Sequence, residues 1–142
     1  MTHVFIYGTL QPGQRNWPVL APYAQTWTPA TIWGFELWDL PEGYPAITPG
    51  EGVVRGLAVE LKDGNALDAL DALDALEGHR AGDPTSLYLR RLLQVVLDGQ
   101  APPRTLRAYT YTIHPSRREH MRQRAARVHG GQWPPPATEP SS

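Results

Sequence analysis

The chain has 142 residues, 41% of them hydrophobic and 19% charged, with a formal net charge of −1 and no cysteine. That length and balance suit one ordinary soluble domain with a real core. They exclude disulfides, thiolate metal sites and a cysteine nucleophile, and offer nucleic acid or an anionic membrane no whole-protein attraction. No apolar run reaches membrane-spanning length, and Met1-Thr2-His3 leads directly into a strand pattern rather than a signal peptide, so the expected location is the cytoplasm. Fifteen prolines punctuate the chain, which predicts many short elements.

Val4-Phe5-Ile6-Tyr7, closed by Gly8, is the β-branched and aromatic pattern of a strand. Gln11-Pro12-Gly13-Gln14 predicts a turn, and Trp17-Pro18 predicts an irregular stretch after it. Residues 31–40 read as a second strand interrupted at Gly34, where an isolated glycine indicates a bulge or a close backbone approach. Residues 41–52 read as a loop carrying Gly43-Tyr44-Pro45-Ala46-Ile47. Residues 53–61 read as a third strand with Leu57, Val59 and Leu61 on one face. Asp63-Gly64-Asn65 then turns the chain into a helix over residues 66–77, with Asn65 at its N-cap and Gly78 as its stop. Leucines 67, 70, 73 and 76 step back by about 60° each around the axis. That spread predicts a helix embedded on more than one side.

Residues 79–86 read as a flexible loop and residues 87–97 as a long strand with Tyr88, Arg90 and Leu92 on one face. Residues 105–113 form the last predicted strand. Ser116-Arg117-Arg118-Glu119 has the form of a capping box, which predicts a helix to about residue 129 with Met121, Ala125 and Val128 as its apolar stripe. One domain over residues 1–133 and a disordered proline-rich tail over 134–142 complete the reading. Five strands and two helices without regular alternation predict an α+β domain around a mixed or barrel-like sheet.

Two segments carry the chemistry. Glu77 ends the predicted helix, where the macrodipole disfavours an anion by roughly 0.3–1 kcal/mol. Asp74 lies one turn earlier on the same face, and burial of the helix adds desolvation; all three push a carboxyl toward the proton affinity of a general acid/base. The plainer alternative is a solvated charge at a helix end. Gly8-Thr9-Leu10 is the second segment. A glycine after a strand can take a conformation closed to other residues, and the N–H groups that follow can form a nest for a carboxylate or oxyanion. A plain strand-ending turn is its alternative. The Gly8-x4-Gly13 spacing imitates a phosphate loop, but Gln14 and Arg15 stand where Lys and Ser/Thr are required, and Trp17-Pro18 is read as forbidding the immediate helix that the motif needs. The five histidines lack metal-ligand spacing, so no metal and no cofactor are expected. Ser86 and Ser116 lack a nucleophile-elbow context. Arg117, Arg118, Arg122, Arg124 and Arg127 would form a basic helix face, read as solvated rather than as an RNA-binding surface.

Taken in order, these stretches resemble the γ-glutamylcyclotransferase superfamily, in particular its AIG2-like and γ-glutamylamine cyclotransferase branch. Val4-Phe5-Ile6-Tyr7-Gly8-Thr9-Leu10-Gln11-Pro12-Gly13 is similar to the family's opening strand and loop. Gly43-Tyr44-Pro45-Ala46-Ile47 and Val54-Arg55-Gly56 resemble its middle segments, and Leu73-Asp74-Ala75-Leu76-Glu77-Gly78 the segment that holds its acid/base glutamate. Tyr88-Leu89-Arg90-Arg91 and Gly131-Gln132-Trp133 complete the set. The resemblance implies a small mixed β-barrel with flanking helices, a pocket at its mouth, substrate binding by Tyr7, Gly8, Thr9 and Leu10, and catalysis by Glu77. Tyr88 is expected to orient Glu77 or the substrate.

The implied reaction closes a γ-glutamyl amide to 5-oxoproline and releases the amine, with a small γ-glutamyl compound as partner and neither nucleic acid nor membrane. Removal of a γ-glutamyl group from another intermediate, or a binding protein that keeps the pocket without turnover, would use the same residues. The leaving amine and the oligomeric state are not encoded in these motifs.

Overall fold

The structure, a computed structural model, describes residues 1–79 and 87–135. Its strands are β1 (His3–Ile6), β2 (Ala24–Asp39), β3 (Pro45–Leu61), β4 (Tyr88–Leu97), β5 (Arg104–Ile113) and β6 (Ala126–Val128); its α-helices are α1 (Trp17–Leu20), α2 (Ala66–Glu77) and α3 (Arg118–Arg124). The sheet order is β3-β1-β5-β4-β2-β6, and β2 also pairs with β3. Five strands therefore close into a barrel, and β6 lies against β2 outside that ring. The barrel is mixed: Val4 of β1 faces Tyr109 of β5 in parallel, and the other pairings are antiparallel. This is the α+β barrel with flanking helices expected from the sequence.

The β1 strand is buried on both faces. Val4 and Ile6 join a core that includes Ala69, Leu70 and Leu73 of α2, whereas Phe5 and Tyr7 join a second core with Ile32, Val54 and Val95. Alternation along one strand thus serves both the helix-covered layer and the second layer. Thr110 Oγ1 donates to the Phe5 carbonyl at 3.0 Å, so a polar side chain enters this region with its hydrogen bond satisfied.

Several boundaries differ from the sequence reading. The β2–β3 hairpin is far longer than expected, running in register from Ala24 opposite Leu61 to Asp39 opposite Pro45, with the predicted bulge at Gly34. Residues 45–52 contain two prolines and two glycines and so read as loop, yet pairing with β2 holds them extended. Trp17-Pro18 starts a short helix instead of an irregular stretch, because Pro lies in its first turn, where no N–H partner is lost. The C-terminal helix ends at Arg124 rather than near residue 129: Ala125 is extended, and Ala126–Val128 pairs with β2. Satisfying an open sheet edge outweighs roughly one more helical turn.

The expected capping box is also absent. His114 Nδ1 accepts from the Ser116 N–H at 3.1 Å and opens a 3-10 turn over Pro115–Arg117. Helix α2 is buried on one side only, with Leu67 78% exposed and Leu76 38% exposed. Asn65 occupies its N-cap position without a side-chain bond, and Gly78 ends it in the left-handed conformation, φ 67°. The arginines expected on one helix face are divided among the 3-10 turn, α3 and β6; Arg124 pairs with Glu42, and Arg127 with Glu36 at 3.2 Å. Residues 80–86, including Ser86, and residues 136–142 of the expected tail lie outside the described residues.

Candidate active site

The loop after β1, the turn before β3, the end of α2 and the adjoining parts of β4 and β5 surround a cavity of about 180 Å³. Tyr7, Gly8, Thr9, Leu10, Glu77 and Tyr88 all line it. The structure therefore brings every candidate site residue to one place. Strand β1 delivers the first four by ending at the cavity, and the αL stop at Gly78 leaves Glu77 as the last helical residue facing it.

Glu77 has the perturbed proton affinity expected, for a narrower reason. Burial raises its pKa from the ordinary 4.5 to about 7. Asp74 contributes no visible repulsion, because its carboxylate is engaged: Arg90 Nη1 donates to Oδ2 at 2.7 Å and the Tyr111 hydroxyl to Oδ1 at 2.6 Å. A paired carboxylate is not the free like charge inferred from helix spacing.

Gly8 is needed for space rather than for a left-handed backbone, since its φ is not positive. A Cβ there would meet Pro45 Cγ at 2.5 Å. The Gly8 carbonyl accepts from the Gln11 N–H at 3.1 Å, and the Thr9 carbonyl from the Asn16 N–H at 2.9 Å. Thr9 Oγ1 accepts from Asn16 Nδ2 at 3.0 Å. These bonds turn the carbonyls into the loop. Among the described residues, the N–H groups of Gly8, Thr9 and Leu10 donate to no other backbone group. Among the described residues, three consecutive N–H groups without a backbone acceptor at a cavity wall have the composition of an anion nest.

The two tyrosines are structurally committed. Tyr7 donates its hydroxyl proton to the Tyr111 carbonyl at 2.6 Å, and Tyr88 donates to the Pro45 carbonyl at 2.8 Å. Burial raises both phenols well above their usual range, so they remain neutral. The Tyr88 ring meets Tyr44 edge-on at 6.5 Å and forms one wall, while its hydroxyl proton serves Pro45 rather than Glu77.

Sequence reasoning missed Arg15, Asn16, Tyr44 and Tyr111 in the lining. Arg15 is the only cationic lining side chain among the described residues, and its guanidinium lies over Gly43, 3.4 Å from where a Cβ would project. Its signal was present in the failed phosphate-loop pattern, whose glycines made the loop worth reading. Tyr111 had no local signal, because only barrel closure brings β5 to the site. Among the described residues, no group of three or more His, Asp or Glu is placed to hold a metal ion, and no helix is long and apolar enough to cross a membrane.

The chain resembles the crystal structure of an AIG2-like protein (GGACT) from Mus musculus, with 30% identity over 79% of this chain and 76% of that one and a TM-score of 0.59. YtfP from Escherichia coli shares 22% identity and a TM-score of 0.58, covering 94% of this chain and 96% of its own. A structure described as gamma-glutamyl cyclotransferase shares 16% identity and a TM-score of 0.53, covering 79% of this chain and 66% of its own. No curated protein sequence matches. The family model described as "Gamma-glutamyl cyclotransferase, AIG2-like" (GGACT) matches residues 4–135 and so spans both the Gly8 loop and Glu77. A match over that much of the chain places it plainly: the chain belongs to the AIG2-like gamma-glutamyl cyclotransferase family.

Proposed function

We propose that this protein cyclises γ-glutamyl amides to 5-oxoproline and releases the amine, with Glu77 as general acid/base. The observation that carries the reading is Glu77 itself, a carboxyl that burial raises to about 7, lining the same small cavity as Gly8, Thr9 and Leu10. At neutral pH such a group is divided between its two forms, as a residue that both takes and returns a proton must be.

In this reading the Glu77 carboxylate accepts a proton from the substrate's α-ammonium. The freed amine attacks the γ-carbonyl carbon and a five-membered ring closes. As the bond to the leaving nitrogen breaks, Glu77 returns its proton there. The second proton of the ring nitrogen follows the same route, leaving a neutral lactam and an ammonium product. Nucleophile and carbonyl belong to one molecule, so the protein's principal task is to fold the substrate. The N–H groups of Gly8, Thr9 and Leu10 would bind the α-carboxylate or the developing oxyanion. The rings of Tyr7 and Tyr88 would wall the glutamyl chain, and Arg15 would offer the substrate a cation from the cavity lining.

Incubation with glutathione, γ-glutamyl amino acids and γ-glutamyl-lysine, read by mass spectrometry, tests the reaction class. Appearance of 5-oxoproline from at least one supports it. Ligand-dependent stabilisation without any product would favour a binding role instead.

A further inference from the structure

The end of α2 is fastened to the barrel by more bonds than a helix terminus needs. Asp74 joins Arg90 of β4 at 2.7 Å and Tyr111 of β5 at 2.6 Å through separate carboxylate oxygens. Its carbonyl also accepts the N–H of Gly78 and, at 3.0 Å, that of His79. His79 Nδ1 in turn accepts the Arg90 N–H at 3.2 Å, and the Gly78 carbonyl accepts the Leu87 N–H at 3.2 Å. The Arg90 guanidinium lies over the Tyr109 ring, 5.3 Å from its centroid, which fixes the fork from a third side. Glu77 sits between these ties, three residues after Asp74 and one before Gly78. Among the described residues, no side chain donates to its carboxylate.

From this geometry we infer that Asp74, Arg90 and Tyr111 are positioning residues for Glu77, holding it at the cavity and cancelling the nearest like charge. The inference rests on the acid/base reading of Glu77 above. The groups that share the cavity with Glu77 from other elements are Tyr7 just after β1, Tyr88 of β4, Tyr111 of β5, and Arg15 and Tyr44 from loops. The first three are phenols held neutral by burial. Burial alone then governs the Glu77 proton. The Asp74–Arg90 pair is the element whose imbalance would alter it.

The test is the titration midpoint of the Glu77 carboxyl, followed by carbon NMR of glutamate-labelled full-length protein, beside the acidic limb of kcat/KM for 5-oxoproline formation. Arg90→Leu leaves Asp74 uncompensated and should raise the midpoint by about 0.2–0.4 pH unit, as expected for a like charge one turn away. Asp74→Asn keeps an acceptor for Tyr111 and leaves Arg90 uncompensated, so the midpoint should fall. Arg90→Lys should restore the wild-type midpoint, and the double variant Asp74→Asn/Arg90→Leu should lie close to it. Shifts of opposite sign in the two single variants support the inference; unmoved midpoints, or movement in one direction in both, overturn it. If Arg90→Leu does not fold, the direction of the Asp74→Asn midpoint decides. Midpoints that move as stated in a protein that forms no 5-oxoproline would remove the proposed reaction and leave the positioning role in place.

Discussion

Replacing Glu77 with Gln should make the protein more stable above neutral pH and no more stable in acid. The folded state holds the Glu77 proton more tightly than the unfolded chain, with a pKa of about 7 against an ordinary 4.5. A raised folded pKa contributes stability that is fully present below 4.5 and is lost as pH rises through about 7. At about 1.4 kcal/mol per pH unit, that interval corresponds to a loss of up to about 3 kcal/mol on full ionisation. Glutamine resembles the protonated carboxyl and loses nothing over the same range. The variant should therefore match the wild type near pH 4 and exceed it by up to about 3 kcal/mol at pH 8.5, or very roughly 6–12 °C in Tm. Urea unfolding of both proteins at intervals from pH 4 to 8.5 reads the difference. Parallel stability curves across that range would refute the claim that burial perturbs Glu77.

Three further outcomes follow from particular contacts. Gly8→Ala should cost about 1–3 kcal/mol in denaturant unfolding and depress turnover, because its Cβ would lie 2.5 Å from the rigid Pro45 ring. Tyr88→Phe should cost about 1 kcal/mol by leaving the buried Pro45 carbonyl without its donor, yet retain turnover within a few-fold, since that proton does not serve Glu77. A hundredfold loss in that variant would mean that the hydroxyl acts on substrate. Leu73→Ala, at a fully buried position of α2, should cost about 2–5 kcal/mol by calorimetry or urea unfolding.

The fold was most legible where local pattern and tertiary demand agree. Strand β1 and helix α2 announce themselves, and the αL stop at Gly78 follows from glycine after an Ala/Leu-rich run. Residues 45–52 were illegible because Pro and Gly mark loops by local propensity, whereas a long partner strand decides their conformation. The residues after Arg124 misled for a related reason. Met121, Ala125 and Val128 satisfy a helical stripe, yet an open edge on β2 takes Ala126–Val128 as a strand. Five cavity residues could be named from two motifs and Tyr88 from a third segment, but helix spacing made Asp74 a like charge acting on Glu77. Its partners, Arg90 and Tyr111, come from distant strands and carry no mark of that pairing in the sequence.

The most direct test of Glu77 as the acid/base is 5-oxoproline release at neutral pH by wild type and Glu77→Gln side by side, each confirmed folded by circular dichroism. The account predicts product from the wild type and none above background from the variant, with substrate binding retained. Equal product from both proteins would contradict it.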